Sequence, residues 1–288
     1  MAFLKNILPV PANSVGIGLR SSHYEEIIET KPNIGWLEIH PENYFCGGAH
    51  KYFLDKISAH YPLSMHAVGL SLGADQNVDI GHLARLKALV DRYDPIMVSD
   101  HIAWSASGNA HLNDLLPLPY TCESLRRVGN NINQVQEALG RCILVENPST
   151  YIAFKDNDMS EPEFMNAVCK ATGCGMILDV NNIYVQGHNH GIDPRSYIDA
   201  IDVNFVGELH LAGHIEKKFG AHSLLIDSHN RRICDDVWDL YDYAIRKTGL
   251  APTLIEWDQD VPPLKTLLGE AQKAQIIIQK HGELCATE

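Results

Sequence analysis

Residues 206–229 combine an apolar segment with side chains that can bind a metal ion. Glu208 and His210 interrupt the apolar segment, and Asp227 and His229 follow in what the sequence predicts to be a loop. A β-strand favours apolar or β-branched residues, so a glutamate and a histidine within one need a further explanation. Surface histidines on an acidic protein would explain any one of these residues. They do not explain the set, because the same pattern recurs elsewhere.

The recurrence runs along the whole chain. Short apolar segments, each typical of a β-strand, end in residues that can bind a metal ion. These residues are Glu38, His40, His66, Asp100, His101, Glu146, Asn147, Asp179, Asn181, Glu208, His210 and Glu256. Burying so many carboxylates and imidazoles without partners would be costly, and few lysines or arginines stand beside them to form a salt-bridge network. One cation neutralises several carboxylates at once, so the pattern predicts a metal site.

Eight predicted strands alternate with predicted helices. The strands cover residues 15–19, 34–40, 63–68, 96–101, 142–147, 176–180, 206–211 and 253–257. The helices cover residues 24–28, 49–60, 79–92, 121–139, 235–248 and 262–280, and two more begin at a capping box of Ser160 and Glu163 and at Asp193–Pro194. This alternation predicts one (β/α)8 barrel domain over residues 1–288, with a doubly wound open sheet as the alternative. In a barrel the C-terminal strand ends, and with them the polar residues, meet at one mouth.

The composition excludes several classes of function. The formal net charge of -13 argues against nucleic acid as the main partner, because binding phosphates needs a basic face. No apolar run approaches the roughly 18 residues of a membrane span, and Pro9 and Pro11 interrupt the start in a way that is unlike a secretion signal. The 7 cysteines include no Cys-x-x-Cys pair, which is typical of reduced thiols in a cytoplasmic protein.

The types of donor narrow the choice of metal. Imidazoles and carboxylates without cysteine disfavour a structural zinc site with thiolates, and also an all-oxygen magnesium or calcium site. Iron, manganese and zinc remain. The donors are too many for one ion, so two or three ions at about 3.5–4 Å spacing, bridged by a carboxylate, are expected. Hydrolysis or isomerisation at a zinc or manganese centre, oxidation at an iron centre, and non-catalytic metal binding all stay open on this evidence.

A series of short motifs runs through nearly the whole chain. The motifs are Ser-Met-His66-Ala-Val, Ser-Asp-His101, Val-Glu146-Asn-Pro-Ser, Leu-Asp179-Val-Asn-Asn, Glu-Leu-His210-Leu-Ala-Gly-His, Ile-Asp227-Ser-His229 and Leu-Ile-Glu256-Trp. Each motif is weak alone. In this order they resemble the multinuclear non-heme iron-dependent oxidative enzymes.

This resemblance implies a xylose-isomerase-like (β/α)8 barrel that holds two or three irons of mixed Fe(II)/Fe(III) valence and uses O2 as co-substrate. It also implies an oxidoreductase that modifies cysteine residues of a ribosomally synthesised precursor peptide, which a small leader-binding partner protein delivers. Carried over motif by motif, the implied metal ligands are His66, His101, Glu146, Asp179, His210, Asp227, His229 and Glu256.

Further residues follow from the same resemblance. Some members have a histidine at the position of Asn182, so Asn182 either ligates through its amide oxygen or leaves a third iron site weaker. Asp100 is expected to orient the imidazole of His101, and Asn181 is expected to act similarly. His190 and His214 are expected to support ligands or to face the substrate. Independently of the resemblance, the position near the predicted mouth indicates peptide contacts for Trp36, Tyr44, Phe45 and Trp104.

Overall fold

The computed structural model of the protein describes residues 10–107, 110–220 and 222–285. Its strands are β1 (Val15–Gly18), β2 (Leu37–Ile39), β3 (Leu63–His66), β4 (Met97–His101), β5 (Trp104–Ser107), β6 (Ala110–Leu116), β7 (Leu144–Glu146), β8 (Gly175–Asp179), β9 (Val206–Leu211), β10 (Ile215–Phe219), β11 (His222–Ile226) and β12 (Thr253–Ile255). Its helices are α1 (Tyr24–Thr30), α2 (Ala49–Ile57), α3 (Ile80–Tyr93), α4 (Cys122–Leu139), α5 (Glu161–Thr172), α6 (Val180–His190), α7 (Pro194–Ala200), α8 (Asp235–Thr248) and α9 (Leu264–Cys285). No helix within these ranges is long and apolar enough to cross a membrane. The prediction about a secretion signal concerns mainly residues 1–9, which lie outside the described residues.

Eight of the strands close a barrel in the order β1–β12–β9–β8–β7–β4–β3–β2. Each barrel strand pairs in parallel with its two neighbours, which confirms the predicted (β/α)8 barrel. The register aligns the polar strand ends, because His101 lies opposite Glu146 and Asp179 lies opposite His210. The side chains predicted to share a mouth therefore start from neighbouring backbone positions.

The helices pack an apolar face against the barrel, as α4 illustrates. Its buried residues include Val128, Ile132, Val135 and Leu139. Spacings of three and four residues place them on one face of a helix, so the packing against the barrel follows from the sequence pattern. Gly140 then ends the helix in the left-handed region, with a φ of 67°.

The predicted helix starts agree with the structure where capping residues mark them. Ser160 and Glu163 form the predicted capping box at the start of α5. Asp193 accepts a hydrogen bond from the N–H of Arg195 and caps α7, which begins at Pro194. Strand boundaries are less accurate, since the second barrel strand begins at Leu37 rather than at residue 34.

Trp36 fills the N-terminal end of the barrel interior. It is fully buried in a cluster with Met97, Leu144 and Leu254. A Cβ on Gly16 would clash with the indole, so β1 needs glycine at this position. Because Trp36 precedes β2, whereas the mouth lies at the C-terminal strand ends, its predicted position near the mouth is wrong.

Two antiparallel hairpins and one helix interrupt the predicted alternation. β5 and β6 follow β4, and β10 and β11 follow β9, so the predicted loop that starts at Gly213 is in large part a hairpin, whereas Asp227 and His229 do lie in a loop. Four of the five residues of β10 are exposed. Its sequence does not alternate between apolar and polar residues, which is the pattern that identifies a half-buried strand. α6 begins directly after Asp179, whose side chain caps it by accepting a hydrogen bond from the N–H of Asn182. Both hairpins follow the C-terminal ends of barrel strands and so stand beside the mouth.

Gly213 positions the segment that carries His229. The carbonyl oxygen of Gly213 accepts a hydrogen bond from the N–H of His229 at 2.9 Å. A Cβ at this position would clash with the carbonyl oxygens of Arg231 and Arg232. These are backbone atoms, which cannot move aside as the end of a flexible side chain can.

We expect Gly213→Ala to lower the free energy of unfolding by about 1–3 kcal/mol, the usual cost of overpacking. Gly129→Ala is the matched control, because in α4 the added Cβ would meet nothing closer than 3.6 Å. Alanine in a helix interior is more favourable than glycine by about 0.5–1 kcal/mol. Urea unfolding of both variants measures the difference. A Gly213→Ala protein as stable as the parent would contradict the close approach seen here.

Candidate metal centre

The first group of donors joins three neighbouring barrel strands. His66 ends β3, His101 ends β4 and Glu146 ends β7. Nε2 of His66 lies 3.2 Å from Oε2 of Glu146, and Nε2 of His101 lies 3.6 Å from the same oxygen. The two ring nitrogens are 3.3 Å apart. An ion about 2.0–2.2 Å from each donor fits between atoms at these separations.

The second group shares a carboxylate with the first. Glu146, Asp179, His210 and Glu256 each offer a donor atom, and these atoms lie within 4.8 Å of one another. Nδ1 of His210 lies 3.6 Å from Oε2 of Glu146 and 3.5 Å from Oε2 of Glu256. All four side chains are buried. Because Glu146 belongs to both groups, its carboxylate is placed to bridge two ions.

A third set of donors lies at the rim of the mouth. Nε2 of His229 lies 2.7 Å from Oδ1 of Asp227. The Asn182 amide donates to the carbonyl oxygen of Asn147 at 3.0 Å and to Oε1 of Glu146 at 3.4 Å. Its own Oδ1 is then left for another partner. The structure thus brings Asn182 toward Glu146, on the same side of the barrel as the other donors.

Asn181 and His214 connect to this third set through hydrogen bonds. Nδ2 of Asn181 donates to Oδ1 of Asp227 at 2.7 Å. Oδ1 of Asn181 lies 2.8 Å from Nδ1 of half-buried His214. The two residues form a chain that ends on the Asp227 carboxylate, so they can orient it.

Several buried donor atoms lack a hydrogen-bond partner among the described residues. Most buried polar atoms in proteins have one, so each exception calls for an explanation. The unpartnered atoms of the centre include Oε2 of Glu146, Oδ2 of Asp179, Oδ1 of Asn182 and Nδ1 of His210. They belong to the donor groups described above, and a bound cation would satisfy them together. The residues therefore fit a metal centre.

Burial and neighbouring carboxylates raise the pKa values of several donors. Burial raises the pKa of Asp179 to about 7, and the neighbouring Asp227 adds to the rise. Burial also raises the pKa of Glu146 well above its usual value. Burial alone would lower the pKa of His229, but the carboxylates of Asp227 and Glu256 outweigh it and raise the pKa well above the usual value. The raised pKa values mean that these donors hold protons more tightly than they would in water.

An open cavity of about 940 Å³ covers the centre. His101, Asn182 and His229 line its floor. Its walls include Leu112 from the first hairpin and Tyr151 from the loop after β7, both more than 40% exposed. The donor groups are therefore reachable from one side, through a depression large enough for part of a peptide.

The structure places the remaining predicted residues as follows. Asp100 accepts hydrogen bonds from the backbone N–H groups of Leu70 and His101, whereas Nδ1 of the His101 ring lies 3.8 Å from its carboxylate, beyond hydrogen-bonding distance. His190 bonds to the side chain and the backbone carbonyl of Thr150.

The predicted aromatic residues do not line the cavity. Tyr44 is buried and its hydroxyl bonds to that of Tyr24. The Trp104 indole donates to the carbonyl oxygen of Pro117, and Phe45 packs edge-on against a histidine ring. Within the described residues, Tyr151 is the aromatic ring that lines the cavity.

Asp258 and Arg20 also lie at the mouth, although the sequence patterns did not predict them. Oδ2 of Asp258 lies 3.1 Å from Nδ1 of His229, and Arg20 forms an ion pair with the same carboxylate. Burial alone would raise the pKa of Asp258, but His229, His40 and Arg20 lower it. Both residues lie just past barrel strand ends, as the predicted donors do. That position was the available signal for Asp258.

Comparison with known proteins identifies the family. A sequence model of the RiPP precursor modification enzyme MbnB/TglH/ChrH family matches residues 14–279. The chain belongs to this family. RiPP precursors are ribosomally synthesised peptides that are modified after translation, so the family consists of peptide-modifying enzymes. It is the multinuclear non-heme iron-dependent oxidative family that the motifs indicate, and that resemblance is confirmed.

Individual relatives match nearly the whole chain. A UPF0276 protein of Psychromonas ingrahamii is 46% identical over 281 residues, which cover 97% of this chain and 98% of that protein. A UPF0276 protein of Chromobacterium violaceum is 46% identical over 91% of this chain and 94% of its own length.

Solved structures share the fold at low sequence identity. Endonuclease IV from Thermus thermophilus has a TM-score of 0.58 at 15% identity, covering 94% of this chain and 99% of its own. A xylose isomerase-like TIM barrel protein from Mycobacterium smegmatis, in complex with magnesium, has a TM-score of 0.57 at 11% identity, covering 96% and 91%. These similarities confirm a xylose-isomerase-like barrel.

Protons and metal ions should compete for this centre. A divalent ion binds deprotonated donors, whereas the pKa of Asp179 is raised to about 7 and those of Glu146 and His229 are also raised. Binding therefore releases protons, and affinity rises with pH.

We expect the Kd for Co²⁺ to fall between pH 6 and pH 8 by about tenfold per pH unit for each proton released. Calorimetric titration in buffers of different ionisation enthalpy counts these protons. Asp91→Asn, which removes an exposed carboxylate on α3, should leave the pH dependence unchanged. A Kd independent of pH would contradict protonated donors in the metal-free centre.

Proposed function

We propose that this protein is an iron- and O2-dependent oxidoreductase that modifies cysteine residues of a ribosomally synthesised precursor peptide in the cytoplasm. Family membership supports peptide modification. The main support for more than one metal ion is that Glu146 belongs to two groups of donors. One carboxylate between two such groups is the arrangement of centres in which two ions act together.

The proposed ligands form three sets. These are His66, His101 and Glu146; Glu146, Asp179, His210 and Glu256; and Asn182, Asp227 and His229. Imidazole and carboxylate donors without thiolate suit iron. When bound there, iron would supply the redox chemistry that lets O2 serve as the oxidant.

The chain's own residues have separate tasks in this proposal. Asn181 and His214 hold the Asp227 carboxylate in one orientation through their hydrogen bonds. Asp100 fixes the backbone that carries His101, since its carboxylate ties that N–H to the N–H of Leu70. The first hairpin and the loop after β7 form walls of the cavity above the donors.

The peptide is proposed to enter through the open cavity. Leu112 and Tyr151 offer apolar surface at its wall, and Arg85 offers positive charge. The small partner protein that binds the leader is inferred from the family resemblance. It would bring the cysteine to the mouth by holding another part of the same peptide, which raises the local concentration of the cysteine.

We expect His210→Ala to lose metal and activity together, because His210 is fully buried within the second donor group. His188→Ala is the matched control, since His188 is an exposed histidine of α6 that bonds to Ser223. Elemental analysis after anaerobic purification should give at least one metal ion fewer per chain for His210→Ala and no change for His188→Ala. Full metal content and product yield in the His210→Ala protein would refute the ligand assignment.

The proposal as a whole is tested with iron-57-labelled protein purified without oxygen. Mössbauer spectra should show two or more coupled irons per chain. Co-expression with a cysteine-containing peptide encoded beside this gene should give a mass change that requires O2. Zinc or manganese in place of iron, after growth in iron-rich medium, would instead indicate a hydrolase or isomerase. Bound iron without any O2-dependent product would indicate a non-catalytic metal-binding protein.

A further inference from the structure

A second layer of polar residues lies inside the barrel below the donors. Glu208 stands two residues before His210 on β9, and Ser64 stands two residues before His66 on β3. Alternate residues of a strand share a face, so both point into the barrel, one layer nearer its N-terminal end. Glu38 of β2 completes the layer, paired in register with Ser64. Glu38, Ser64 and Glu208 are at most 2% exposed.

The imidazole of His210 spans the two layers. Its Nδ1 faces Oε2 of Glu146 and Oε2 of Glu256, at 3.6 and 3.5 Å. Its Nε2 faces Oε1 of Glu208 at 3.4 Å. When one ring nitrogen of a histidine binds a metal ion, the other carries a hydrogen and needs an acceptor.

Glu208 is free to be that acceptor. Among the described residues, neither of its carboxylate oxygens has a hydrogen-bond partner, although the side chain is fully buried. Glu38, in contrast, accepts a hydrogen bond from the Ser64 hydroxyl at 2.9 Å. A buried carboxylate without a structural partner, beside the ring of a proposed ligand, indicates a role toward that ring.

We propose that Glu208 is a positioning residue for the metal centre: it accepts the Nε2–H hydrogen bond of His210 and so holds the tautomer whose Nδ1 is free to bind the ion. Glu38 lies beside Glu208, with one carboxylate oxygen of each within 4.8 Å of the other. The inference rests on the metal part of the proposed function. It does not depend on which metal is bound or on the reaction catalysed.

One competing arrangement uses the same atoms. Donor atoms of Glu38, Glu208 and His210 lie within 4.8 Å of one another, so a further ion could sit among them, with the His210 ring bridging two ions. A hydrogen bond from His210 to Glu208 needs no such ion. The number of ions bound per chain separates the two arrangements.

The test is a Co²⁺ titration of the full-length metal-free protein, followed by absorption in the ligand-field region. We expect Glu208→Ala to weaken Co²⁺ binding by 10–100-fold and to shift the absorption bands. Glu208→Gln keeps an acceptor oxygen, so its Co²⁺ affinity should lie between those of the parent protein and Glu208→Ala. This variant replaces Glu208→Ala in the test if the alanine variant does not fold. Glu161→Gln is the control, because Glu161 is a buried glutamate whose partners are Tyr120, Tyr197 and Gln186. General damage to the fold would reduce the amount of bound metal without moving the bands.

A direct readout of the tautomer supports the titration. In zinc-loaded protein with nitrogen-15-labelled histidine, NMR should show His210 bound through Nδ1 and protonated at Nε2. Unchanged affinity and bands in both Glu208 variants would overturn the inference, as would loss of one of several ions from Glu208→Ala with the other sites intact. A parent protein that binds no Co²⁺ would overturn both the inference and the metal part of the proposed function. If metal binding depends on Glu208 but no O2-dependent product forms, the proposed reaction is refuted and the inference about Glu208 stands.

Discussion

The centre depends on the placement of one carboxylate, that of Glu146. Its Oε2 lies 3.2 Å from a ring nitrogen of His66, 3.6 Å from one of His101 and 3.6 Å from one of His210. These imidazoles come from three different strands. A carboxylate taken out of water in this way is expensive unless positive charge surrounds it. Closing the barrel buries this carboxylate, so protons or metal ions must supply positive charge beside it.

The barrel interior separates structural from chemical tasks by depth. At the N-terminal end, Trp36 and its apolar neighbours fill the space. Above them lies the polar layer of Glu38, Ser64 and Glu208, and above that lie the donors at the strand ends. Polarity therefore rises along the barrel axis from the N-terminal end toward the mouth. Burial of apolar surface at the N-terminal end helps to offset the free-energy cost of burying charged groups at the mouth.

The sequence predicts the barrel and its mouth well because both follow from strand periodicity. Residues such as His101 and Glu146 stand out as polar ends of apolar segments, and parallel strands bring those ends together. The hairpin of β10 and β11 was not predictable in this way, since its strands bury little apolar surface and carry no alternation. The position of Asp258 just past a strand end was visible in the sequence, but its contacts were not, because its partners Arg20 and His229 lie more than 25 positions away and meet it only once the barrel closes. Long-range contacts of this kind leave no local pattern.

The capping of α6 by Asp179 places two candidate donor atoms at the start of one helix. Oδ1 of Asp179 accepts a hydrogen bond from the N–H of Asn182, and Oδ2 has no hydrogen-bond partner among the described residues. Asn182 lies in the first turn of the same helix, and within the described part of the chain its Oδ1 also has no partner. A cation bound to both atoms would also hold the first turn of α6 in place. The stability of this helix and the occupancy of the proposed centre would then be thermodynamically linked.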